Sequence, residues 1–229
     1  MSPLPPQGNS AVAVNIAKVR ENLSNYGAVQ LIAVTKNATI DQIGDAFACG
    51  VNHFGESRVQ AALKKREVMP PQIEQNSHWH FIGHLQTNKV KQVVGRFSLI
   101  HSVDSLRLAA DIDRVAKERG IEQSILLQVK IEADDAKGGF TADQLEREMP
   151  SLMSLTNIKL EGLMTITPFD ADRSTTQKCF AGLKALRDRL SARYDLPLAQ
   201  LSMGMSDDWR QAVEQGSTMI RLGRAIFGN

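Results

Sequence analysis

A lysine follows the first apolar run of the chain that suits a buried strand. Residues 31–34 are Leu, Ile, Ala and Val, and Lys36 comes two positions later. A lysine at the base of a pocket loses hydration, which favours the neutral amine that attacks an aldehyde or ketone to form an imine. A lysine that reaches solvent from the end of a strand explains the same pattern. Taken alone, Lys36 favours this simpler interpretation.

The last third of the chain has the features of a phosphate site. An apolar run leads into Ser206 just before a predicted helix, which we expect Ser206 to cap while it presents its hydroxyl. Gly223, after the final predicted strand, lets backbone N–H groups approach an oxyanion closely. An ordinary cap and an ordinary turn are the alternatives, and Asp207 and Asp208 repel a dianion. A carbonyl-seeking lysine opposite a phosphate cradle indicates pyridoxal phosphate (PLP), and an aldolase-type site for a phosphorylated sugar fits less fully.

An arginine lies beside the second of these features. Arg221 begins the run RLGR at residues 221–224. If it faces the pyridine nitrogen of the cofactor, its permanent positive charge keeps that nitrogen unprotonated and makes the ring a weaker electron sink. An arginine that pairs with a neighbouring carboxylate explains the residue equally well.

Three histidines, His78, His80 and His84, lie around the third predicted strand. On a strand His78 and His80 share a face, so a metal site is an alternative. No cysteine, no H-E-x-x-H pattern and no fixed fourth ligand accompanies them. We therefore predict no metal site, and we expect His80 to form a pocket wall near the cofactor ring and His84 to lie in a loop.

Alternating strand and helix patterns position these residues. Eight apolar runs predict strands, and helical patterns separate them. This alternation predicts a parallel sheet, and eight units favour a closed (β/α)8 barrel over a doubly wound open sheet. In such a barrel the site lies at the C-terminal ends of the strands, where Lys36, Ser206 and Arg221 fall. The predicted strands cover residues 31–36, 51–55, 79–83, 98–103, 124–131, 160–166, 198–203 and 219–222.

Local signals mark the helix ends. Ser10 or Asn9 is placed to cap an extra helix before the first strand, and Thr39 and Thr141 are placed to cap two later helices. Pro150 should break or kink the helix that follows Thr141.

Composition excludes several classes of protein. The 229 residues are 42% hydrophobic and 23% charged, and 27 basic against 25 acidic residues leave a net charge of +2. This charge does not favour nucleic acid or an anionic membrane, no apolar run is long enough for a membrane span, and the N-terminus lacks a secretory signal pattern. Cys49 and Cys179 predict reduced thiols. We expect a cytoplasmic protein with one domain over residues 1–229 and a loose leader over residues 1–9.

Eight short motifs carry a resemblance to a known family. Over nearly its whole length after the first ten residues, the chain resembles the pyridoxal phosphate homeostasis proteins. It departs from them at Ser57, where members usually carry asparagine. The motifs are AVTK (33–36), NHFGES (52–57), HFIGHLQTNK (80–89), HSVDS (101–105), KGGF (137–140), GLMTI (162–166), LSMGMSDD (201–208) and RLGRAIFG (221–228).

The resemblance implies a single (β/α)8 barrel of the kind found in the N-terminal domain of alanine racemase. It implies PLP held as a Schiff base on Lys36, Arg221 near the pyridine nitrogen, and the phosphate held by Ser206 and the backbone around Gly223 and Arg224. It assigns no catalytic residue. The other residues that it places at the cofactor are Asn52, His80, Met164, Ser202 and Met203.

The resemblance also implies a role in vitamin B6 and amino-acid homeostasis without robust catalysis. The residues agree, because a racemase of this kind needs a tyrosine from a second domain, and the chain's two tyrosines, Tyr26 and Tyr194, are predicted at helix ends. We expect a monomeric PLP carrier or regulator whose recipients are PLP-dependent apoenzymes. The alternatives are a weak amino-acid racemase that acts as an oligomer and a protein-interaction module whose cofactor sets its conformation.

Overall fold

The structure is a computed structural model that describes residues 10–131, 138–168 and 170–228. Its centre is a ring of parallel strands, and its outer layer is made of helices. The strands are β1 (Gln30–Val34), β2 (His53–Glu56), β3 (His78–Phe81), β4 (Leu99–Val103), β5 (Gln123–Lys130), β6 (Phe140–Thr141), β7 (Ile158–Met164), β8 (Gln200–Ser202) and β9 (Met219–Leu222).

Eight of these strands close into a barrel. Their order is β4-β3-β2-β1-β9-β8-β7-β5, and pairing between β4 and β5 closes the ring, while β6 extends from β5 outside it. All the pairs are parallel. The predicted (β/α)8 barrel is confirmed, and each predicted strand forms within two residues of its expected bounds.

Side chains along each strand alternate between the two faces of the barrel wall, as successive residues of a strand must. In β1, Leu31 and Ala33 pack into the main apolar core between strands and helices, whereas Ile32 faces the barrel interior. The interior therefore has its own small apolar cluster, formed by Ile32, Leu99, Leu126, Met164 and Met219.

The helices cover the outside of the ring. Thr87–Lys89 forms one turn of 3-10 helix before α5. Helix α1 lies before the first strand and packs against α2 and α10. The helices are α1 (Ala11–Leu23), α2 (Ile40–Ala48), α3 (Val59–Glu67), α4 (Pro71–Gln75), α5 (Val90–Val93), α6 (Leu106–Arg119), α7 (Ala142–Met153), α8 (Arg173–Tyr194), α9 (Trp209–Glu214) and α10 (Arg224–Phe227).

Most predicted helix ends are confirmed by their caps. The Ser10 hydroxyl accepts a hydrogen bond from the N–H of Ala13, so Ser10 rather than Asn9 caps α1. Thr39 and Thr141 each form a complete capping box, with the side chain of the third helical residue bonding back to the cap.

Of the break or kink predicted at Pro150, the break does not occur. Helix α7 continues through Pro150 to Met153. A proline has no N–H to donate to the carbonyl four residues earlier, which belongs to Glu146. Tyr194 Oη supplies a donor instead, 3.3 Å from the carbonyl oxygen of Glu146. A bond from α8 thus replaces the one that the proline removes.

Two further expectations concern the N-terminal leader and membrane-spanning helices. The predicted loose leader over residues 1–9 lies outside the described residues, as does Lys137 of the KGGF motif. None of the helices in the described ranges combines the length and apolarity needed to cross a bilayer.

Candidate functional site

A cavity of about 460 Å³ opens at the C-terminal ends of β1 and β9. Sites of parallel barrels lie at this end, and the volume suits a small cofactor. Five of the predicted residues line the cavity: Lys36, Ser206, Arg221, Gly223 and Arg224. The rest of the lining consists of Val34, Asn37, Ala38, Ser57, Ile82, Ile166, Met205, Asp207 and Phe227.

Lys36 presents an exposed side chain to this cavity. The expectation that its amine has lost hydration at the base of a pocket is wrong, because the residue lies beyond the end of β1 and keeps its contact with water. Among the described residues it has no ion-pair or side-chain hydrogen-bond partner. The amine is therefore available to a ligand.

A buried ion pair fixes the backbone immediately before Lys36. Glu56 ends β2 and is 1% exposed, and its Oε1 accepts hydrogen bonds from Thr35 Oγ1 and Lys65 Nζ, each at 2.7 Å. Lys65 Nζ also donates to the carbonyl oxygen of Thr35. Because a buried charge is stable only with a partner, Glu56 and Lys65 hold this corner of the barrel together and with it the position of Lys36.

Arg221, in β9, is the buried cation of the cavity and is 4% exposed. Its Nη1 donates to Ser202 Oγ at 2.6 Å and its Nη2 donates to the carbonyl oxygen of Thr165 at 3.0 Å. Both partners are uncharged, so the alternative of a carboxylate partner is wrong. Burial lowers the pKa of Arg221 to about 10, although the charge of Asp208 acts in the opposite direction. The guanidinium is therefore cationic at neutral pH.

Ser206 connects the loop after β8 to helix α10. Its Oγ accepts a hydrogen bond from the N–H of Ala225 at 3.2 Å. The predicted role of Ser206 as a helix cap is wrong, because α9 begins at Trp209 after Asp208 and has no side-chain cap. A serine hydroxyl both accepts and donates, so Ser206 keeps a proton to donate toward the cavity.

Both aspartates that follow Ser206 have partners. Asp207 forms an ion pair with Arg224. Asp208 Oδ1 accepts from the N–H of Met205 at 2.6 Å, and its Oδ2 accepts from Thr167 Oγ1 at 2.9 Å. The repulsion of a dianion that the sequence predicts is therefore weakened by these cationic and hydrogen-bonding neighbours.

Two glycines shape the cavity walls in different ways. A Cβ on Gly83 would lie 2.1 Å from the carbonyl oxygen of Ser57, so only glycine allows the two loops to pass this closely. A Cβ on Gly223 would meet its nearest atom, the carbonyl oxygen of Val34, at an ordinary 3.5 Å. A Cβ would thus fit at Gly223 in ordinary contact with Val34, and the backbone of Gly223 is within reach of a ligand because the residue lines the cavity.

The structure places His80, Met164 and Ser202 deeper in the barrel than the cavity. Alternate residues of a strand share a face, and the cavity is lined by inward residues further along, Ile82 after His80 and Ile166 after Met164. Met164 packs in the apolar interior cluster. These three side chains therefore do not line the cavity, and their predicted place at the cofactor stays a prediction.

Asn52 and Met203 are not brought to the cavity either. Asn52 precedes β2, at the opposite end of the barrel, where its carbonyl oxygen accepts a hydrogen bond from the N–H of His78 at 2.7 Å. Met203 is buried in the apolar core between the strands and the helices. Asn52 is far from the cavity because it precedes its strand instead of following it. Met203 is outside the cavity because its side chain faces the helices instead of the barrel interior.

A chain of polar side chains runs from Arg221 through the barrel interior. His101 Nδ1 lies 2.8 Å from Ser202 Oγ, His80 Nδ1 lies 2.9 Å from His101 Nε2, and His53 Nδ1 lies 2.8 Å from His80 Nε2. Burial lowers the pKa of His80 to about 3, that of His53 to about 4 and that of His101 well below its usual value, and charge repulsion from neighbouring groups adds to this. The three imidazoles are therefore neutral at neutral pH.

Sequence reasoning missed several of these residues. It did not identify His53 and His101 as interior groups, although both are polar residues at inward positions of apolar strands. The rule that sites lie at strand C-termini covers residues 80–84 and 202–206, which contain Ile82 and Met205, but the sequence did not single out either residue for the cavity.

Other candidate groups lie away from the cavity. Tyr26 follows α1 and Tyr194 ends α8, so neither tyrosine lines the cavity. His84 is exposed in the loop after β3, as predicted, with its Nδ1 3.3 Å from Asp104 Oδ2. Across residues 10–131, 138–168 and 170–228, no group of three or more His, Cys, Asp or Glu side chains is arranged to hold a metal ion.

A family model and individual related sequences identify the same group of proteins. The model of the alanine racemase N-terminal domain matches residues 9–229. A pyridoxal phosphate homeostasis protein of Synechocystis is 43% identical over 201 residues, which cover 88% of this chain and 91% of the relative. A protein of the same name from Pseudomonas aeruginosa is 35% identical over 230 residues, covering 96% of each.

Solved structures agree with these sequences. PipY of Synechococcus elongatus, solved with PLP bound, superimposes with a TM-score of 0.87 at 40% identity, covering 95% of this chain and all of that one. Alanine racemase of Clostridium difficile has a TM-score of 0.75 at 18% identity, covering 96% of this chain and 56% of that one. The second likeness is evidence for the fold alone.

Proposed function

We propose, from the premise that this chain belongs to the pyridoxal phosphate homeostasis protein family, that it binds PLP in the cavity at the C-terminal end of the barrel. Its role is to hold and regulate PLP in vitamin B6 and amino-acid homeostasis. The observation that carries the proposal is that one cavity contains an exposed amine, a buried cation and a hydroxyl beside approachable backbone.

The chemistry of these groups fits the cofactor. PLP has an aldehyde, a ring nitrogen and a phosphate. The Lys36 amine suits the aldehyde, and the Arg221 guanidinium suits an unprotonated ring nitrogen, because arginine only donates hydrogen bonds. The Ser206 hydroxyl and the backbone at Gly223 and Arg224 suit the phosphate, and their place in the lining of one cavity supports this assignment.

Each residue then has a specific task. Lys36 holds the cofactor as a Schiff base, a linkage that forms between amine and aldehyde with loss of water. Arg221 orients the ring from the floor of the cavity. Ser206 fixes the phosphate while its oxygen keeps α10 in place. When bound, PLP supplies an electron sink, which the permanent charge of Arg221 keeps weak.

These residues support a role as a PLP carrier or regulator better than a role as a racemase. Racemisation needs a proton donor on each face of the substrate, and Tyr26 and Tyr194 both lie away from the cavity. The relatives reported above carry a homeostasis name rather than an enzyme name.

The exposed cavity, the cysteines and the protein surface bear on the recipients of PLP, the cellular compartment and the oligomeric state. We propose PLP-dependent apoenzymes as recipients, because an exposed Lys36 allows another amine to reach the cofactor. Cys49 and Cys179 are reduced cysteines, which supports a reducing, cytoplasmic setting. We further propose a monomer, because the large exposed apolar side chains are few and include Val14, Val68, Ile121, Met153 and Met205, which belong to different elements or loops.

Titration with PLP tests the proposal. The purified protein should develop the absorbance of a protein-bound Schiff base, and Lys36→Ala should abolish it. Lys91→Ala is the matched control, since Lys91 lies on α5, is exposed and does not line the cavity. A Lys36→Ala variant that keeps a covalently attached, reducible cofactor would assign the linkage to another lysine.

A further inference from the structure

The chain of interior side chains that ends at Arg221 is called the barrel relay here; its members are Ser202, His101, His80 and His53. It has no contact with the cavity except through Arg221. An arginine has donors and no acceptor, so the bond from Arg221 Nη1 occupies a lone pair of Ser202 Oγ. The hydroxyl proton of Ser202, which is fully buried, then needs an acceptor of its own.

His101 Nδ1 is the acceptor in reach, 2.8 Å from Ser202 Oγ. A neutral imidazole that accepts at Nδ1 carries its proton on Nε2. His101 Nε2 therefore donates to His80 Nδ1, and His80 Nε2 in turn donates to His53 Nδ1. The donor-only chemistry of Arg221 sets the direction of every bond in the barrel relay.

The opposite direction leaves a buried group unsatisfied. If His101 carried its proton on Nδ1, Ser202 Oγ would receive two hydrogen bonds and its own hydroxyl proton would have no acceptor among its contacts. An unpaired buried donor is unfavourable. One direction alone satisfies Ser202, His101 and His80 together.

We propose that the barrel relay is a one-way hydrogen-bond chain that holds the Arg221 guanidinium at the floor of the cavity, and that His80 and His101 are positioning residues for PLP. The proposal rests on the proposed function, because it concerns how Arg221 meets the cofactor. It differs from a contact role, since neither histidine lines the cavity.

The location of the barrel relay supports this role. The barrel interior also holds an apolar cluster that includes Leu99 and Leu126, side chains that need no hydrogen-bond partner, whereas each imidazole of the barrel relay does need one. The far end, His53, is half-buried at the N-terminal end of the barrel, with its ring stacked on the exposed His78 at 4.6 Å. The barrel relay thus joins solvent at one end of the barrel to the cofactor cavity at the other.

Nitrogen-15 NMR of the unmodified protein tests the direction without any substitution. The expected spectrum assigns an unprotonated Nδ1 and a protonated Nε2 to His80 and His101, unchanged between pH 6 and 8. Protonated Nδ1 on either residue would overturn the proposed direction.

Ser202→Ala tests the positioning role. The substitution removes the side chain that accepts the hydrogen bond from Arg221 Nη1. Because a hydrogen bond to a charged group contributes more than one between neutral groups, we expect the affinity for PLP to fall roughly tenfold. Ser217→Ala is the matched control: Ser217 is also buried, but its single hydroxyl proton has the backbone carbonyl oxygens of Leu201, Met203 and Met219 in reach, nearest Met203 at 2.8 Å, and not the barrel relay. It should leave PLP binding within about twofold.

Two results would overturn the positioning role while the melting temperature falls in both serine variants. In one, PLP binding weakens equally in both variants. In the other, PLP binding weakens in neither variant. Failure of the proposed function would look different, because the unsubstituted protein would then give no Schiff-base absorbance. His84→Gln, at an exposed residue outside the cavity and the barrel relay, should match the unsubstituted protein in both measurements.

Discussion

His80 Nδ1 lies 2.9 Å from His101 Nε2 inside the barrel, and both imidazoles are almost completely buried. Burial disfavours the charged form of each imidazole, and repulsion adds to this effect, from His53 and His78 at His80 and from His80 and Arg221 at His101. Together these causes lower the pKa of His80 to about 3 and that of His101 well below its usual value. The interior of the barrel therefore stays intact only while these histidines are neutral.

Stability should consequently fall on mild acidification. In the unfolded chain His80 and His101 take up protons below about pH 6.5, and in the folded chain they stay neutral until far lower pH. The free energy of unfolding should be highest above pH 6.5 and should drop by about 1.5 kcal/mol between pH 6.5 and 5 for each of His80 and His101. Urea denaturation at several pH values measures this. A His84→Gln variant should show the same pH dependence, and a flat profile down to pH 5 would contradict the assignment.

Removal of the Lys65 amine should destabilise the corner that holds Lys36. Lys65→Met leaves the buried Glu56 carboxylate unpaired, which should cost about 3 kcal/mol in chemical denaturation. The double variant Lys65→Met/Glu56→Gln should recover part of the loss because no buried charge remains. Lys91→Met, at an exposed lysine, should change stability by less than about 0.5 kcal/mol. Equal stability of the two single variants would refute a structural role for the pair.

Gly83→Ala should disturb both stability and cofactor binding. The new methyl would collide with the carbonyl of Ser57, which lines the cavity, and relief of the collision requires backbone movement. We expect a loss of about 2 kcal/mol or more and weaker PLP binding in the same preparation. Gly27→Ala is the control, because its Cβ would meet nothing within 4 Å. Thermal unfolding that is identical for the two variants would argue against the close approach at Gly83.

Amino-acid turnover should be absent or very slow. The PLP-loaded protein in deuterated water should exchange the α-protons of a panel of amino acids no faster than free PLP does, because the cationic Arg221 weakens the electron sink and neither tyrosine reaches the cavity. Proton NMR of the Cα–H signals measures the exchange. Exchange well above that of free PLP would favour the racemase alternative and direct attention to a proton donor from another subunit.

The sequence was sufficient for the barrel and for five of the fourteen residues that line the cavity. Strand patterns depend on local burial, so all eight ring strands were predicted, and the rule that sites lie at C-terminal strand ends found Lys36, Ser206 and Arg221. The sequence did not show how deep in the barrel each inward side chain lies. His80 and Met164 face inward as expected, but the residues two positions later, Ile82 and Ile166, form the cavity wall.

Other features depend on contacts between distant parts of the chain. The Ser206 hydroxyl bonds to Ala225 in α10 rather than to the helix that follows it, and the sequence around Ser206 gives no sign of this. The barrel relay likewise joins residues 53 to 221 through four strands in addition to β9, so only the closed barrel brings its members together.

Borohydride reduction of the PLP-loaded protein, followed by peptide mass spectrometry, tests the central claim most directly. Reduction makes the Schiff-base linkage permanent and marks the lysine that formed it. The account predicts a single modified peptide, with the cofactor mass on Lys36. A modified peptide that carries the cofactor on another lysine, or no modified peptide from a protein that has bound PLP, would contradict it.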